Sequence, residues 1–277
     1  MQLKRNCWKW ETKSGTYFVK FYDELYNAQR VKMIYEKLKK IEFPYFAPIR
    51  SNSAPHYIVQ RWIDGRQAQY ERKNDRQQVL DMLQCLHETN NEVNWGEEMI
   101  PVHNLSYKWS VRFDRFLANE EKLLPLLNDK YYSIINLTEL AMKKMRKVKG
   151  KNEKKTLLHG DVVHHNFLLS DTPKMIDFDL ATLGEPSDEI ILWLHRVLPN
   201  VDYDLTLLLQ QHSYTSKAKH KLDYLLYPNE LLREWLYVLQ VDDKQRSVLL
   251  EYLYPLTDQT LSKYPQLIKQ IEANKQK

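Results

Sequence analysis

The chain has 277 residues, of which 43% are hydrophobic, 12% aromatic and 28% charged, a balance that excludes a disordered or fibrous protein. Its formal net charge of +5 fits an anionic ligand such as a nucleotide, but equally an unspecialised lysine-rich surface. No apolar run approaches the length of a membrane span or a signal peptide, and two cysteines are too few for a disulfide framework, so we expect a cytoplasmic protein without membrane or nucleic-acid partners.

The first part of the chain has the patterns of a small β-rich region. Residues 7–22 predict a hairpin, because two segments rich in aromatic and β-branched side chains flank a turn that ends at Gly15. A charged amphipathic helix is predicted over residues 24–40. Its apolar positions are Val31, Ile34, Tyr35 and Leu38. Short strands are then expected from Ile49 and over residues 57–63, and a turn ends the second of them.

Helical patterns dominate the rest of the chain. We predict helices at 76–90, 106–128, 132–148, 188–198, 202–213, 229–240, 244–254 and 259–274. Ser106 and Asn229 are expected to cap two of them. One β-like segment, residues 157–181, interrupts the helical part. The chain is therefore predicted to have an α+β fold, with a β-rich domain over residues 1–63 and a mainly helical domain over residues 64–277.

The β-like segment contains polar residues on a tight loop between short apolar strands. Asp161 and Asn166 lie on the loop, and Asp177 directly follows the strand 174–176. A hairpin of this kind can bring two carboxylates and an amide to a common point. Phosphoryl transfer needs such a set, with one carboxylate to orient or deprotonate the acceptor hydroxyl and hard oxygen ligands for Mg²⁺. The neighbouring histidines do not have the spacing of a zinc site, and the sequence has no Walker A or G-x-S-x-G motif.

The sequence of this loop resembles that of the aminoglycoside phosphotransferase/choline kinase family, which is related to the protein kinases. The family pattern is H-G-D-x-x-x-x-N, then a strand and I-D-F or I-D-W, and the chain has LLHGDVVHHNFLLS followed by KMIDFDLA. The likeness extends over roughly residues 7–200. It implies a two-lobed protein-kinase-like fold, with a small β-sheet lobe and a large mainly helical lobe. It also implies ATP-dependent phosphorylation of a hydroxyl group on a small molecule.

The resemblance implies roles for the residues of the catalytic and metal loop, residues 157–181. Asp161 would be the catalytic base. Asn166 and Asp177 would hold Mg²⁺, and His159 would brace the loop.

The resemblance also implies that residues 1–63 are a nucleotide-binding lobe with the hinge at its end. Lys20, in the segment YFVKFY, would contact the α- and β-phosphates of ATP. The backbone at Gln60 and Trp62, in the hinge-like segment YIVQRWIDGR, would hydrogen-bond the edge of the adenine ring.

Two features depart from the family pattern, and both concern the binding of ATP. Residues 7–11 already resemble the second strand of the small lobe, and too few residues precede them for a first strand and a loop that covers the phosphates. We therefore expect both to be missing before residue 7. The helix glutamate that pairs with the phosphate-binding lysine is expected near Val31, where the sequence is Arg30-Val31-Lys32. Lys20 is therefore expected to lack its acidic partner.

Two functions remain from the sequence, and a third fits poorly. The first is an ATP-dependent small-molecule phosphotransferase. The second is a catalytically impaired kinase-like protein with a binding or regulatory role, which the two departures favour. A serine/threonine protein kinase fits poorly, because Asp179 replaces the glycine of D-F-G and no A-P-E segment follows. The sequence leaves open the oligomeric state and the acceptor, whether an aminoglycoside, choline or another hydroxyl compound.

Overall fold

The computed structural model describes residues 1–50, 54–96, 99–148 and 153–275, and the chain forms two compact units. Each unit consists of two separate stretches: unit 1 contains Met1–His103 and Lys154–Glu185, and unit 2 contains Asn104–Glu153 and Pro186–Lys277. The predicted boundary between residues 63 and 64 lies within unit 1, and the residue limits of the two predicted lobes stay a prediction.

The strands of the described residues all lie in unit 1 and form three sheets with antiparallel pairing. They are β1 (Gln2–Lys4), β2 (Cys7–Thr12), β3 (Gly15–Phe21), β4 (Tyr57–Arg61), β5 (Arg66–Gln67), β6 (Thr156–Leu158), β7 (Phe167–Leu169), β8 (Lys174–Met175) and β9 (Thr182–Gly184). The strand orders are β1-β2-β3-β4, β5-β7-β8 and β6-β9. In the first sheet, Cys7 of β2 lies opposite Lys20 of β3, and Phe18 of β3 lies opposite Gln60 of β4. The predicted phosphate-binding strand therefore pairs directly with the predicted hinge strand.

The predicted hairpin and the helix after it are confirmed. A two-residue turn, residues 13–14, joins β2 to β3, and Gly15 follows it with a φ of 129°. Only glycine enters this part of conformational space at low steric cost. Helix α1 (Leu25–Lys40) buries the four apolar positions predicted for it, together with Ala28. This burial stabilises the helix more than its intrinsic propensity does.

The prediction that no strand precedes residue 7 is wrong. Strand β1 pairs antiparallel with β2, with Lys4 opposite Cys7, and the turn between them is only Arg5 and Asn6. Asn6 has a left-handed φ of 63°, which asparagine tolerates better than most residues do. The prediction assumed a strand of average length and a glycine-rich loop. A strand of 3 residues and a tight turn at asparagine need much less chain.

The predicted helical patterns are confirmed, with two differences in how they are divided. The remaining α-helices of the described residues are α2 (Lys73–Glu88), α3 (Leu105–Leu117), α4 (Glu120–Leu127), α5 (Asp129–Met145), α6 (Pro186–Val197), α7 (Leu205–Gln211), α8 (Asn229–Val238) and α9 (Asp243–Lys275), and a 3-10 helix over Ser213–Leu226 lies between α7 and α8. The pattern predicted at 106–128 is two helices, α3 and α4. The patterns at 244–254 and 259–274 are one helix, because α9 continues through Pro255 and Pro265. Each proline removes one N–H donor from the helix, and the helix tolerates both losses.

The two predicted helix caps are wrong. Asn104 caps α3, since its Oδ1 accepts a hydrogen bond of 2.9 Å from the Tyr107 N–H, and Ser106 lies inside the helix. Asn229 is the first residue of α8, and its side chain accepts a hydrogen bond from Arg112 instead of capping. The first error is a displacement of two positions between two residues that both suit a cap. The second is a displacement of one position, since Pro228 precedes α8 and makes no side-chain cap hydrogen bond.

The core of unit 2 is aromatic. The rings of Trp109 and Tyr227 stack with centroids 4.5 Å apart and an interplanar angle of 2°, and Trp193 and Trp235 are fully buried. His195 packs edge-on against Trp109. Because such rings bury large apolar areas, they supply much of the packing of this unit.

The described residues contain no helix that is both long and apolar enough to cross a membrane. Cys7 and Cys85 are free thiols, as expected, and Cys7 is buried.

Candidate active site

The loop after β6 is held by a buried histidine. His159 is inaccessible to solvent, and its Nε2 lies 2.9 Å from the carbonyl oxygen of Ile176. The Asp161 N–H donates to His159 Nδ1 at 3.4 Å. Since Nδ1 accepts in this arrangement, Nε2 carries the ring proton and donates it to Ile176. The imidazole therefore ties the loop to the residue before Asp177, as the bracing role predicted for it requires.

The next residue, Gly160, has no tolerable replacement in this backbone conformation. Its φ is 78°, and a Cβ atom built on it would lie 1.9 Å from the carbonyl oxygen of Leu180. The left-handed φ and the close approach both favour glycine. The loop can therefore lie directly against the segment that follows Asp177.

Asp161 and Asn166 are hydrogen-bonded to each other. The Asn166 side-chain amide donates to the Asp161 backbone oxygen at 3.0 Å and to its Oδ2 at 3.2 Å. The backbone oxygen of Asn166 in turn accepts from the Ile176 N–H at 3.0 Å. The loop thus places Asp161 beside Asn166, and Asn166 beside the residue that precedes Asp177.

Asp177 has a left-handed backbone, with φ 65° and ψ 64°, and its carboxylate faces two lysines. Its Oδ1 accepts from Lys20 Nζ at 2.7 Å, and its Oδ2 lies 3.6 Å from Lys4 Nζ. Burial opposes ionisation of the carboxyl, but Lys20 and then Lys4 outweigh it and hold the pKa of Asp177 below its usual value. Non-glycine residues held in this conformation concentrate at functional sites.

Lys20 does not lack an acidic partner, which corrects the expectation from the sequence. Its Nζ lies 2.7 Å from Asp177 and 2.6 Å from Asp179. Burial lowers the pKa of Lys20, but the two carboxylates more than offset that effect, so the pKa is raised. The second carboxylate comes from the segment after Asp177, and α1 does not supply it.

Asp179 also belongs to this cluster, although the sequence indicated it only as the replacement for the glycine of D-F-G. Its Oδ1 accepts a hydrogen bond of 2.6 Å from the Tyr22 hydroxyl. Arg30 of α1, next to the position where the family pattern places the glutamate, donates to the Asp179 backbone oxygen at 2.6 Å. Two features of the sequence could have indicated this role. One is the second acidic residue in Asp177-Phe178-Asp179, and the other is the basic Arg30 next to the position where the helix glutamate was expected.

The predicted adenine-binding residues lie at the end of β4. The Gln60 side chain is buried and donates to the Ala47 backbone oxygen at 2.8 Å, so it is fixed within the protein. The Trp62 N–H donates to the Thr16 backbone oxygen at 2.9 Å. A hydrogen bond between the Trp62 backbone and an adenine edge would therefore be one that the Trp62 carbonyl oxygen accepts. Lys9 lies over the Trp62 ring, 5.0 Å from its centroid.

The donor set fits a divalent cation beside a phosphate. A carboxylate at Asp177 and an amide oxygen at Asn166 are hard oxygen ligands of the kind that Mg²⁺ prefers. The Asp177 side chain is 25% exposed, so an ion can reach it. Lys20 supplies the positive charge that a phosphate needs. The structure therefore brings Lys20 to Asp177, and Asp161 to Asn166, within unit 1.

Comparisons with known proteins identify a family and similar folds. The model of the phosphotransferase enzyme family, APH, matches residues 2–212. No curated protein sequence matches at a significant level. Among solved structures, an aminoglycoside phosphotransferase from Alicyclobacillus acidocaldarius is 16% identical, with a TM-score of 0.65 over 98% of this chain and 92% of that one.

Two further structures are similar at the same level. A spectinomycin phosphotransferase in complex with ADP and spectinomycin is 16% identical, with a TM-score of 0.62 over 90% of this chain and 84% of that one. A choline kinase from Streptococcus pneumoniae is 14% identical, with a TM-score of 0.56 over 99% of this chain and 92% of that one. Identities this low show the fold alone, which is the two-lobed protein-kinase-like α+β fold predicted from the sequence.

Proposed function

Because its residues 2–212 match the family model, the chain belongs to the phosphotransferase enzyme family, and on that premise we propose that it transfers the terminal phosphoryl group of ATP to a hydroxyl group of a small molecule. The observation that carries the proposal is the convergence of Lys20 on Asp177 and Asp179, next to the hydrogen-bonded pair of Asp161 and Asn166.

In the proposed reaction, Asp161 orients the acceptor hydroxyl and accepts its proton. The hydroxyl oxygen then forms a bond to the γ-phosphorus, while the bond from that phosphorus to the β–γ bridging oxygen breaks and ADP leaves. Lys20 holds the α- and β-phosphates in place. Mg²⁺, bound by Asn166 and Asp177, would offset the negative charge of the transferring group.

The charge balance of the site favours joint binding of nucleotide and metal. Lys20 is the close cationic partner of both Asp177 and Asp179. A phosphate that takes up the Lys20 ammonium leaves the two carboxylates with less compensating charge, and a divalent cation restores it. Each ligand should therefore strengthen the binding of the other, which is a coupling between two sites and acts equally in both directions.

The similar structures support a nucleotide and a small acceptor as the substrates. One is a spectinomycin phosphotransferase with ADP and spectinomycin bound, another is a choline kinase, and a third is an ethanolamine kinase from Plasmodium vivax. Their acceptors differ in size and charge. We therefore propose the class of acceptor, a small hydroxyl compound, without naming a member.

A kinase-like protein that binds nucleotide without turnover is the second candidate. The turn between β1 and β2 consists of Arg5 and Asn6 and contains no glycine, which favours this candidate. The ion pair between Lys20 and Asp179 counts against it, because the lysine is positioned by an acid as an active site requires.

Two measurements test the proposal. Thermal unfolding is followed with ATP, with MgCl₂ and with both, because a ligand that binds the folded state raises its stability by RT ln(1 + [L]/Kd). We expect a shift with both that exceeds the sum of the separate shifts. ATP consumption is then measured across a panel of aminoglycosides, amino alcohols and sugars. A protein that shows no shift at millimolar ATP with Mg²⁺ contradicts the proposal. Binding without consumption for any acceptor favours the second candidate.

A further inference from the structure

The turn between β1 and β2 is fixed to the sheet by its own hydrogen bonds. The Phe21 N–H donates to the Asn6 backbone oxygen at 2.9 Å, and the Asn6 side chain donates to Asp23 Oδ2 at 3.2 Å. Asn6 also has the left-handed backbone that closes so short a turn. The residue that enters the turn, Lys4, therefore has a defined position.

Lys4 and Lys20 lie on the same face of the sheet. Lys4 is opposite Cys7, and Cys7 is opposite Lys20, and residues directly opposite each other on antiparallel strands share a face. The buried Cys7 thiol lies between the two lysines. Burial raises its pKa, while Lys20 and Lys4 act in the other direction. The two ammonium groups approach Asp177 on different oxygens, Lys20 on Oδ1 and Lys4 on Oδ2.

The two lysines differ in their exposure and in the number of carboxylates that hold them. The Lys20 side chain is 13% exposed and is held by two carboxylates, whereas that of Lys4 is 63% exposed and lies 3.6 Å from one. An exposed ion pair of this kind adds little to stability. Stability therefore does not explain why a lysine is placed here. An exposed cation beside a carboxylate that is proposed to hold a metal is, however, suited to a phosphate.

We propose that Lys4 is a phosphate-binding residue that contacts the terminal phosphates of a nucleoside triphosphate. It would do with a side-chain ammonium what a glycine-rich loop does with backbone N–H groups. The inference rests on the proposed function, because it takes Asp177 as the metal ligand. Asp177 would hold a metal at the phosphates between which the transfer takes place, so a cation next to Asp177 would be close to the terminal phosphates and further from the α-phosphate.

The experiment compares the affinities of three nucleotides, ATP, ADP and AMP, in the presence of MgCl₂ by isothermal titration calorimetry. Lys4→Met removes the charge and keeps much of the side-chain length, and Lys4→Arg keeps the charge. Lys13→Met is the matched control, since Lys13 is an exposed lysine in the turn between β2 and β3. Thermal unfolding without ligand shows that each variant is folded.

We expect Lys4→Met to bind ATP about tenfold more weakly or worse, the effect of losing one hydrogen bond to a charged group. AMP binding should be unchanged, and Lys4→Arg and Lys13→Met should bind ATP as the parent does. If the parent binds ATP and Lys4→Met binds it equally well, the role of Lys4 is wrong and the proposed function stands. An equal loss for ATP and AMP also overturns the inference. If the parent binds no nucleotide, the inference and the proposed function both fail.

Discussion

The ammonium nitrogen of Lys20 lies 2.6 Å from Oδ2 of Asp179. This contact joins the third strand of the sheet to the segment just after Asp177, so the acid that positions the lysine and the proposed metal ligand lie on the same short segment. A shift of that segment would therefore disturb the phosphate contact and the metal contact together.

The first prediction concerns Asp179. Asp179→Asn should weaken the binding of ADP with Mg²⁺ by about tenfold, because Lys20 loses a charge-assisted hydrogen bond that holds it in position. Calorimetric titration measures the affinity directly. Tyr22→Phe is the control, since it removes the other side-chain hydrogen bond to Asp179 and leaves the Lys20 contact intact. Equal losses in the two variants would show that Asp179 acts only through the packing of its segment.

The second prediction separates Asp161 from Asp177. Asp161→Asn should leave the binding of ATP with Mg²⁺ nearly intact, because this carboxylate is proposed to act on the acceptor hydroxyl. Turnover of an acceptor found in the panel should fall by about 10²–10⁴-fold, the usual contribution of a positioned general base. Asp177→Asn should lose most of the ligand-induced thermal shift as well as turnover, since it removes a charged metal ligand. The reverse pattern would mean that the two roles are exchanged.

The third prediction concerns Gly160. Gly160→Ala should lower the free energy of unfolding by about 1–3 kcal/mol more than Gly96→Ala, the usual cost of overpacking. Gly96 has a similar φ of 59°, but no described atom lies within 4 Å of its Cβ position. The control therefore contains the cost of the left-handed backbone without the collision with Leu180. Urea unfolding gives both values, and equal costs would contradict the predicted collision.

The fourth prediction concerns pH. Burial lowers the pKa of His195 from 6.5 to about 4, while a hydrogen bond to the Tyr224 backbone oxygen acts in the other direction. The unfolded chain therefore takes up a proton at higher pH than the folded chain does. This contribution to stability is complete above about pH 6.5 and is lost as the pH falls from there to about 4, by roughly 3 kcal/mol in all.

Urea unfolding between pH 7 and pH 4.5 measures this dependence. His195→Gln should show a shallower loss of stability than the parent over that range, because the side chain at position 195 then no longer takes up a proton. His164→Gln, which changes an exposed histidine, should keep the slope of the parent. A slope that is unchanged in His195→Gln would show that other groups carry the acid sensitivity.

Local patterns were enough to predict much of the fold and to propose residues for the site. Two aromatic and β-branched segments around a turn predicted the hairpin of β2 and β3, and the spacing of Val31, Ile34 and Leu38 predicted the buried face of α1. The spacing from Asp161 to Asn166 predicted a loop on which these two residues are now seen to be hydrogen-bonded. In each case the residues that form the pattern lie close together in the sequence, within about the length of one strand, loop or helix.

The features that were missed depend on the tertiary structure. The pairing of Lys20 with Asp179 joins residues that lie far apart in the chain, and no local pattern records it. Strand β1 was missed because its 3 residues are too few for a periodic signal. Helix α9 continues through Pro255 and Pro265, against the local preference of proline, which the packing of the helix overrides.

The discontinuity of unit 1 has a consequence for the nascent protein. Lys20 and Asp177 are separated by 157 residues, and the stretch from Asn104 to Glu153, which belongs to the other unit, is made between them. At a translation rate of about 5–20 residues per second, Lys20 emerges from the ribosome roughly 10–30 seconds before the carboxylates that neutralise it. During that interval the residues of the first sheet are without their ion-pair partners and without β6 to β9. The ion pairs of Lys20 with Asp177 and Asp179 can therefore form only after the second half of the chain has been synthesised.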